Sequence, residues 1–445
     1  MRTLMLVALV LFMAGAMTGF AGPNAPETPK SQITVKYAYW NLGTPEENNI
    51  ERRMIAAWNA ANPMVKVELA TNIDYGKYLE SLTTAAAAGT LPDVFGVTEF
   101  SSFLANDWLA DITKQVKADA DLKNVSKALV DSVYFNGKAY AVPYAAFLWG
   151  FFVNKDLLAK YNVPVPTTAW TLAQFQNIVK TLAKPEVPVM GLTEEVDIPN
   201  WYPVAANPKY GWFTWDGKAY HLDGPEFKAG IDLAKSYFKN AYVWESFPKD
   251  AKDKIGAGWH GEAFFKGYAA LMWNATWALG DAKNWTFAWD FLPIPGGKLI
   301  FIPDYIGVSS VAKNVPWAYE VAKWMTAAST KGFTTRMELA QANKLTVNSL
   351  PLVKTTAVVD QYMTLVNFPG LRAMYAKIDN AVVEPFKPVP GYAQSRWNAK
   401  VTADKSIGDM LWNSVRGDVK FEDWAAQMNK IANEEYAKAV SALPK

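Results

Sequence analysis

Nucleophilic and metal chemistry have few residue types to work with in this chain. There is no Cys, and the two His are His221 and His260. No Gly-x-Ser-x-Gly elbow, no His-Glu-x-x-His pair and no Gly-x-x-x-x-Gly-Lys-Ser/Thr phosphate loop occurs. Carboxylates remain. Glu99, Glu262 and Asp304 would serve a secreted carbohydrate-active enzyme only if two of them stood about 5–10 Å apart across a glycosidic bond, and this stays open as a remote alternative. What the chain holds in excess is aromatic: 19 Trp, 20 Tyr and 23 Phe. Flat rings stack on the apolar C–H faces of sugars while polar neighbours take the hydroxyls. The same rings also fill cores, and composition does not separate the two uses.

Charge narrows the ligand. Without Arg2 the chain carries one basic residue more than its 42 acidic ones. No basic stripe suggests nucleic acid as a partner. The remaining arginines are Arg52, Arg53, Arg336, Arg372, Arg396 and Arg416, most of them reading as helix-surface charges. Convergent arginines would be expected for uronates or phosphates, so a neutral solute is favoured over an anionic one. The Cys count excludes disulfides, thiolate metal sites and a lipid carried on an N-terminal Cys. No cofactor is expected.

The elements that must position such rings follow from patterning. Met1-Arg2, an apolar run from Leu4 to Met13 and Gly19-Phe20-Ala21 form a signal peptide over 1–21, cleaved after Ala21. A flexible leader covers 22–32. The protein is expected to be periplasmic or secreted and monomeric. Roughly 420 residues remain, enough for two domains. Ile33 to Trp40 reads as a strand, and Thr44-Pro45-Glu46-Glu47 as a capping box opening a helix. Val65 to Leu69 alternates as a strand, Tyr78 to Ala88 is helical, and Pro92 to Val97 is a short buried strand. This β-α-β-α-β order predicts a parallel sheet with helices on both faces. Strands are expected within 137–153, 267–273, 287–292 and 305–311. Helices are expected from near Thr171, over 225–241, from Asn274 and over 317–329. The last hundred residues read as mostly helical, over 371–382, 394–415 and 421–442.

Several ordered motifs resemble the extracellular solute-binding proteins of family 1, the group that includes maltose-binding protein. Gly89-Thr90-Leu91-Pro92-Asp93-Val94-Phe95 precedes Asn106-Asp107-Trp108-Leu109-Ala110-Asp111-Ile112-Thr113. Asn136-Gly137-Lys138-Ala139-Tyr140-Ala141-Val142-Pro143 precedes Asn154-Lys155-Asp156-Leu157. Phe265-Lys266-Gly267-Tyr268-Ala269-Ala270-Leu271-Met272 runs into Asn274-Ala275-Thr276-Trp277. Two positions depart from the pattern: Tyr268 and Ala275 stand where the family has Lys and Gly. The resemblance implies an α/β fold of the periplasmic-binding-protein type II kind, two lobes joined by a hinge with the ligand between them. It divides the chain into 33–142 plus 304–348 for one lobe and 143–303 plus 349–445 for the other. It also implies capture of a carbohydrate, a neutral oligosaccharide, for the permease of an ABC importer, without catalysis. A polyol phosphate or uronate on the same fold is the alternative.

Ligands of open α/β sheets sit beyond the C-terminal ends of strands. Trp40 closes the first strand, and either faces the cleft or packs under the first helix. Glu99 follows the third strand and resembles the family's acidic sugar contact. Tyr144, with Phe147 near it, lies where the family crosses between lobes. Trp201 and Tyr202 match an aromatic contact of the family, with core packing as the other reading. Trp273 and Trp277 bracket a turn, and Trp277 matches the family's stacking Trp. Trp259 precedes a Gly-rich turn. Asp304 and Tyr305 mark the return crossing, and Trp397 falls near a final stacking Trp.

Overall fold

A computed structural model describes residues 26–44, 46–347, 349–368 and 370–443. The expected signal peptide and the first part of the leader lie outside the described residues, as does Pro45 of the expected capping box.

Eleven strands are described: β1 (Ile33–Ala38), β2 (Val65–Leu69), β3 (Val94–Val97), β4 (Tyr134–Phe135), β5 (Lys138–Ala139), β6 (Ala141–Asn154), β7 (Met190–Leu192), β8 (Ala269–Ala275), β9 (Trp289–Leu292), β10 (Ile300–Val308) and β11 (Val382–Val383). The main sheet runs β2-β1-β3-β10-β6-β8-β7, with β9 on β6 and β11 on β10. β1 pairs parallel with both β2 and β3, as the alternation of strands and helices over residues 33–97 requires.

Two strands are longer than the rest, and they make the molecule bilobal. β6 and β10 pair antiparallel from Ala141↔Gly307 to Trp149↔Ile300. At one end β3 joins along Tyr305–Val308. At the other, β8 joins along Trp149–Val153 and β9 along Phe151–Asn154. Between those ends, around Ala145–Leu148 and Ile302–Asp304, the two strands have each other as ladder partners. The register shifts between Asp304 and Tyr305; such a bulge bends a strand locally. Ser349 and Leu350 run beside this ribbon, Ser349 Oγ accepting from Ala146 N at 3.1 Å and Leu350 N donating to Ala146 O at 2.9 Å.

Local signals decide some helix ends and lose at others. Thr171 caps the helix Leu172–Leu182 in a reciprocal box with Gln174. The first helix, by contrast, is Ile50–Ala61 rather than one opened by Thr44. Asn49 caps it, accepting from Glu51 N and Arg52 N, so the competing cap five residues later wins. The C-terminal stretch is less helical than its composition suggests. The helix Leu371–Tyr375 gives way to a 3-10 turn and then β11, whose pairing with β10 outweighs propensity. The expected helix 394–415 is two pieces, a π-turn Gln394–Asn398 and a helix Ile407–Arg416 with its own Ser406 cap, separated by the Lys400↔Ser406 bridge.

Candidate functional site

A cavity of about 630 Å³ opens between the lobes, with the central ribbon as its floor. Tyr144, Ala145, Phe147 and Trp149 of β6 line it with Ile302 and Asp304 of β10. Trp40, Asn41 and Thr98 come from the segments after β1 and β3, and Trp277 from the turn after β8.

One wall is aromatic. Trp149 stacks at 5.2 Å on Trp273, the rings 8° from parallel, and Trp212 lies near-parallel to both, 6.3 Å from Trp149 and 6.1 Å from Trp273. Trp277 stands edge-on to Trp149 at 4.9 Å and to Phe147 at 5.6 Å. Its neighbour holds it there: buried Thr276 accepts from Leu148 N through Oγ1 at 3.1 Å. The turn is thereby tied to the ribbon, and Trp277 projects with 39% of its surface exposed.

The opposite wall is polar. Arg336 donates to both oxygens of Glu51, at 2.5 and 2.8 Å, to Met325 O at 2.8 Å and, weakly, to Tyr144 Oη at 3.4 Å. Asn41 donates to the same Glu51 at 3.3 Å. Burial and the Glu51 and Arg336 charges shape Tyr144, whose hydroxyl is pushed well above its ordinary pKa, so it faces the cavity as a neutral donor and acceptor. Trp40 packs at 4.0 Å on Tyr39 and edge-on against Tyr78. Gly96 makes room for that ring: a Cβ there would lie 2.5 Å from it.

The floor holds a third group. Lys387 pairs with Asp304 at 3.0 Å, and Tyr39 donates to the other Asp304 oxygen at 3.3 Å. Glu384 is buried beside them, and burial, only partly offset by Lys387, pushes its carboxyl up to about 7. Both cations lining the cavity, Arg336 and Lys387, are therefore already matched by carboxylates.

Of the sequence candidates, Trp40, Tyr144, Trp277 and Asp304 come together around this cavity, joined by Phe147. The others stand elsewhere. Trp201 and Trp273 are 1% and 2% exposed and belong to the core of the second lobe, Trp273 donating to Asp197 at 2.9 Å. Tyr202 is half-buried at the edge of that core. Tyr305 is fully buried, its hydroxyl 2.7 Å from Ser132 Oγ. Glu99 precedes the helix Phe100–Ala105, accepts from Ser101 and lines no described cavity. Trp259 is exposed with its ring over Gly261, and Trp397 is exposed with Arg396 stacked on it at 3.7 Å. Sequence reasoning missed Trp149, Glu51, Glu384, Phe386 and Lys387, and did not single out Arg336 from a set of arginines most of which it read as helix-surface charges. Arg336 shares a helical stripe with Phe333, Met337 and Ala340, a spacing that marks a buried position. Arg396 is buried too, donating to Asn200.

The model of the bacterial extracellular solute-binding proteins matches residues 44–331. This chain belongs to that family. The solute-binding protein is also 24% identical over 363 residues to the galactooligosaccharide-binding protein of Bacillus subtilis, covering 76% of this chain and 82% of that one. It is 25% identical over 187 residues to an uncharacterized lipoprotein of Streptomyces antibioticus, 41% of this chain and 39% of that one. Among solved structures, an ABC substrate-binding protein of Listeria monocytogenes in complex with cycloalternan superposes with a TM-score of 0.71 at 22% identity, covering 92% of this chain and all of that one. The solute-binding fold, two α/β lobes about a cleft, is thereby shown. Family membership places the protein outside the cytoplasm, as a binding protein.

Proposed function

We propose that the solute-binding protein captures a neutral oligosaccharide in the cleft and hands it to an ABC import permease. The cavity carries the reading. Trp149 and Trp277 offer ring faces and edges to sugar C–H groups, while Tyr144, Asn41, Thr98 and Asp304 offer partners for hydroxyls. The two cations among its described lining residues are engaged by Glu51 and Asp304, so among those residues an anionic solute finds no free countercharge. The names of the relatives, a galactooligosaccharide binder and a cycloalternan complex, point to the same ligand class.

The mechanism is closure. A ligand touching both walls favours the closed state by the contacts it makes only there. Bending is assigned to the ribbon of β6 and β10 and to Ser349-Leu350 beside it. The division 33–142 with 304–348 and 143–303 with 349–445 is kept with one adjustment. Residues 352–365 go with the first lobe: Leu352 N and Val353 N donate to Ala327 O, Lys354 N donates to Asn124 O, and the helix Thr356–Leu365 packs on Thr330–Ala342. Binding requires no bond to break. The chain acts as a monomer, released by signal cleavage after Ala21 without a lipid on Cys.

A thermal-shift screen against neutral oligosaccharides, uronates and polyol phosphates tests the ligand class. Stabilisation by neutral oligosaccharides is expected, and a shift with anions alone would overturn it. A reducing-sugar assay on the same mixtures should stay flat; turnover of the bound sugar would replace transport with catalysis.

A further inference from the structure

The segment leaving β7 carries Glu194, Glu195 and Asp197. Asp197 is engaged within the lobe, accepting from Trp273 and Asn200. Glu194 and Glu195 instead line a second cavity of about 190 Å³, with Trp244, Glu245, His260 and Trp412 around them. It shares no lining residue with the cleft cavity.

The second cavity is built but unsatisfied. Glu195 is 1% exposed, and its Oε1 has no hydrogen-bond partner. His260 Nδ1 is likewise buried and unpartnered, while its Nε2 lies 3.6 Å from Glu194. A buried polar group left so is destabilising until a partner satisfies it. Two cations lie nearby without lining the cavity, each over the outer face of one of its rings. Arg416 lies 3.8 Å from Glu245 and over the Trp412 ring. Lys252 covers Trp244 and donates to Glu245 O. Burial, reinforced by the neighbouring Asp197 and Glu195 charges, pushes Glu194 up to about 8; burial and Glu245 push Glu195 up to about 7, against the pull of Arg416. Burial also lowers His260, so the imidazole brings no competing charge at neutral pH.

Carboxylates, a neutral imidazole lone pair and two indole rings complement one kind of group. An organic ammonium presents N–H or polarised C–H to the oxygens and positive charge to the ring faces. A bare metal ion suits the site less, because the described residues hold no group of three His, Asp or Glu arranged to ligate one. We propose that this second cavity binds an organic ammonium group, with Glu194 and Glu195 as its anionic partners and Trp244 and Trp412 as its ring walls. Entry of the cation draws protons off the two carboxyls, so binding releases protons and tightens from pH 6 to pH 8.

The test is titration calorimetry of the full chain with choline, ethylammonium and the uncharged choline isostere 3,3-dimethylbutan-1-ol. It is run at pH 6 and 8 in buffers of unlike ionisation heat. Either cation should bind about tenfold tighter or more at pH 8, with proton release, and the alcohol should not bind. Glu195→Gln should weaken the cation about tenfold, roughly 1.4 kcal/mol; Glu194→Gln serves if the first variant does not fold. Equal binding of alcohol and choline, no cation binding up to the order of 10 mM, or a Gln variant that binds like the parent would each overturn the proposal.

Discussion

The two walls of the cleft are built by different physics. The wall from the first lobe is held by charge: Arg336 grips Glu51 with two hydrogen bonds, and Asn41, together with Tyr144 of the shared ribbon, hangs from that pair. The wall from the second lobe is held by stacking: Trp149 lies on Trp273 and Trp212, and Trp277 stands against it. A charged pair tolerates no vacancy, because removing one partner leaves the other buried and uncompensated. A stack degrades ring by ring, and its outermost ring can go at little expense to the rest. The first wall therefore couples recognition to stability, whereas the outermost ring of the second separates them.

Four changes sharpen or break that contrast. Arg336→Ala should cost about 3–5 kcal/mol of stability, read by denaturant unfolding; a loss below about 1 kcal/mol would mean the pair does not hold its wall. Trp273→Leu removes the back of the stack and should cost about 2–3 kcal/mol, with oligosaccharide affinity falling as well because Trp149 loses its support. Trp277→Ala should weaken oligosaccharide binding about tenfold, roughly 1.4 kcal/mol, while the melting temperature without ligand hardly moves. A large drop in that temperature would make Trp277 part of the core and erase the distinction between the walls.

The smallest effect concerns pH. Glu384 sits at about 7 in the fold, against about 4.3 when unfolded. Between those values the native state holds a proton that the unfolded chain has lost, so stability falls as pH rises from about 4.5 to 7. Glu194 and Glu195 act in the same sense, and His260, lowered by burial, opposes them just below its ordinary imidazole pKa, where the unfolded chain binds the proton that the fold does not. Glu384→Gln should flatten the decline in melting temperature between pH 5 and 7.5. A slope unchanged from the parent would remove Glu384 as a contributor.

Much of the frame was legible because it is local. Alternating strands and helices over residues 33–97, and Thr171 before an amphipathic helix, declare themselves within a few residues. Trp40, which ends the first strand, and Trp277, which matches the family's stacking Trp, both line the cavity. The remainder depends on partners far away. Nothing near Trp201 or Trp273 distinguishes a core ring from an exposed one; their burial is fixed by Phe151, Phe175 and Trp212 packing around them. Glu51 and Arg336 lie 285 residues apart, so neither reads alone as half of a buried pair. Glu384, Phe386 and Lys387 lie in a stretch that reads as loop, and reach the cleft because Glu384 N donates to Phe301 O, just beyond β11. Asn49 outcompeted Thr44 as the first cap because its side chain meets two amide groups at once.

The ribbon of β6 and β10 has a consequence for how the molecule comes apart. Each of these strands is ordered by one lobe at one end and by the other lobe at the other. Neither lobe can melt without stripping a strand that its neighbour also needs. The two should therefore be lost in a single transition, as one cooperative unit, even though each packs its own helices. The shared strands that let the lobes move against each other also prevent them from failing separately.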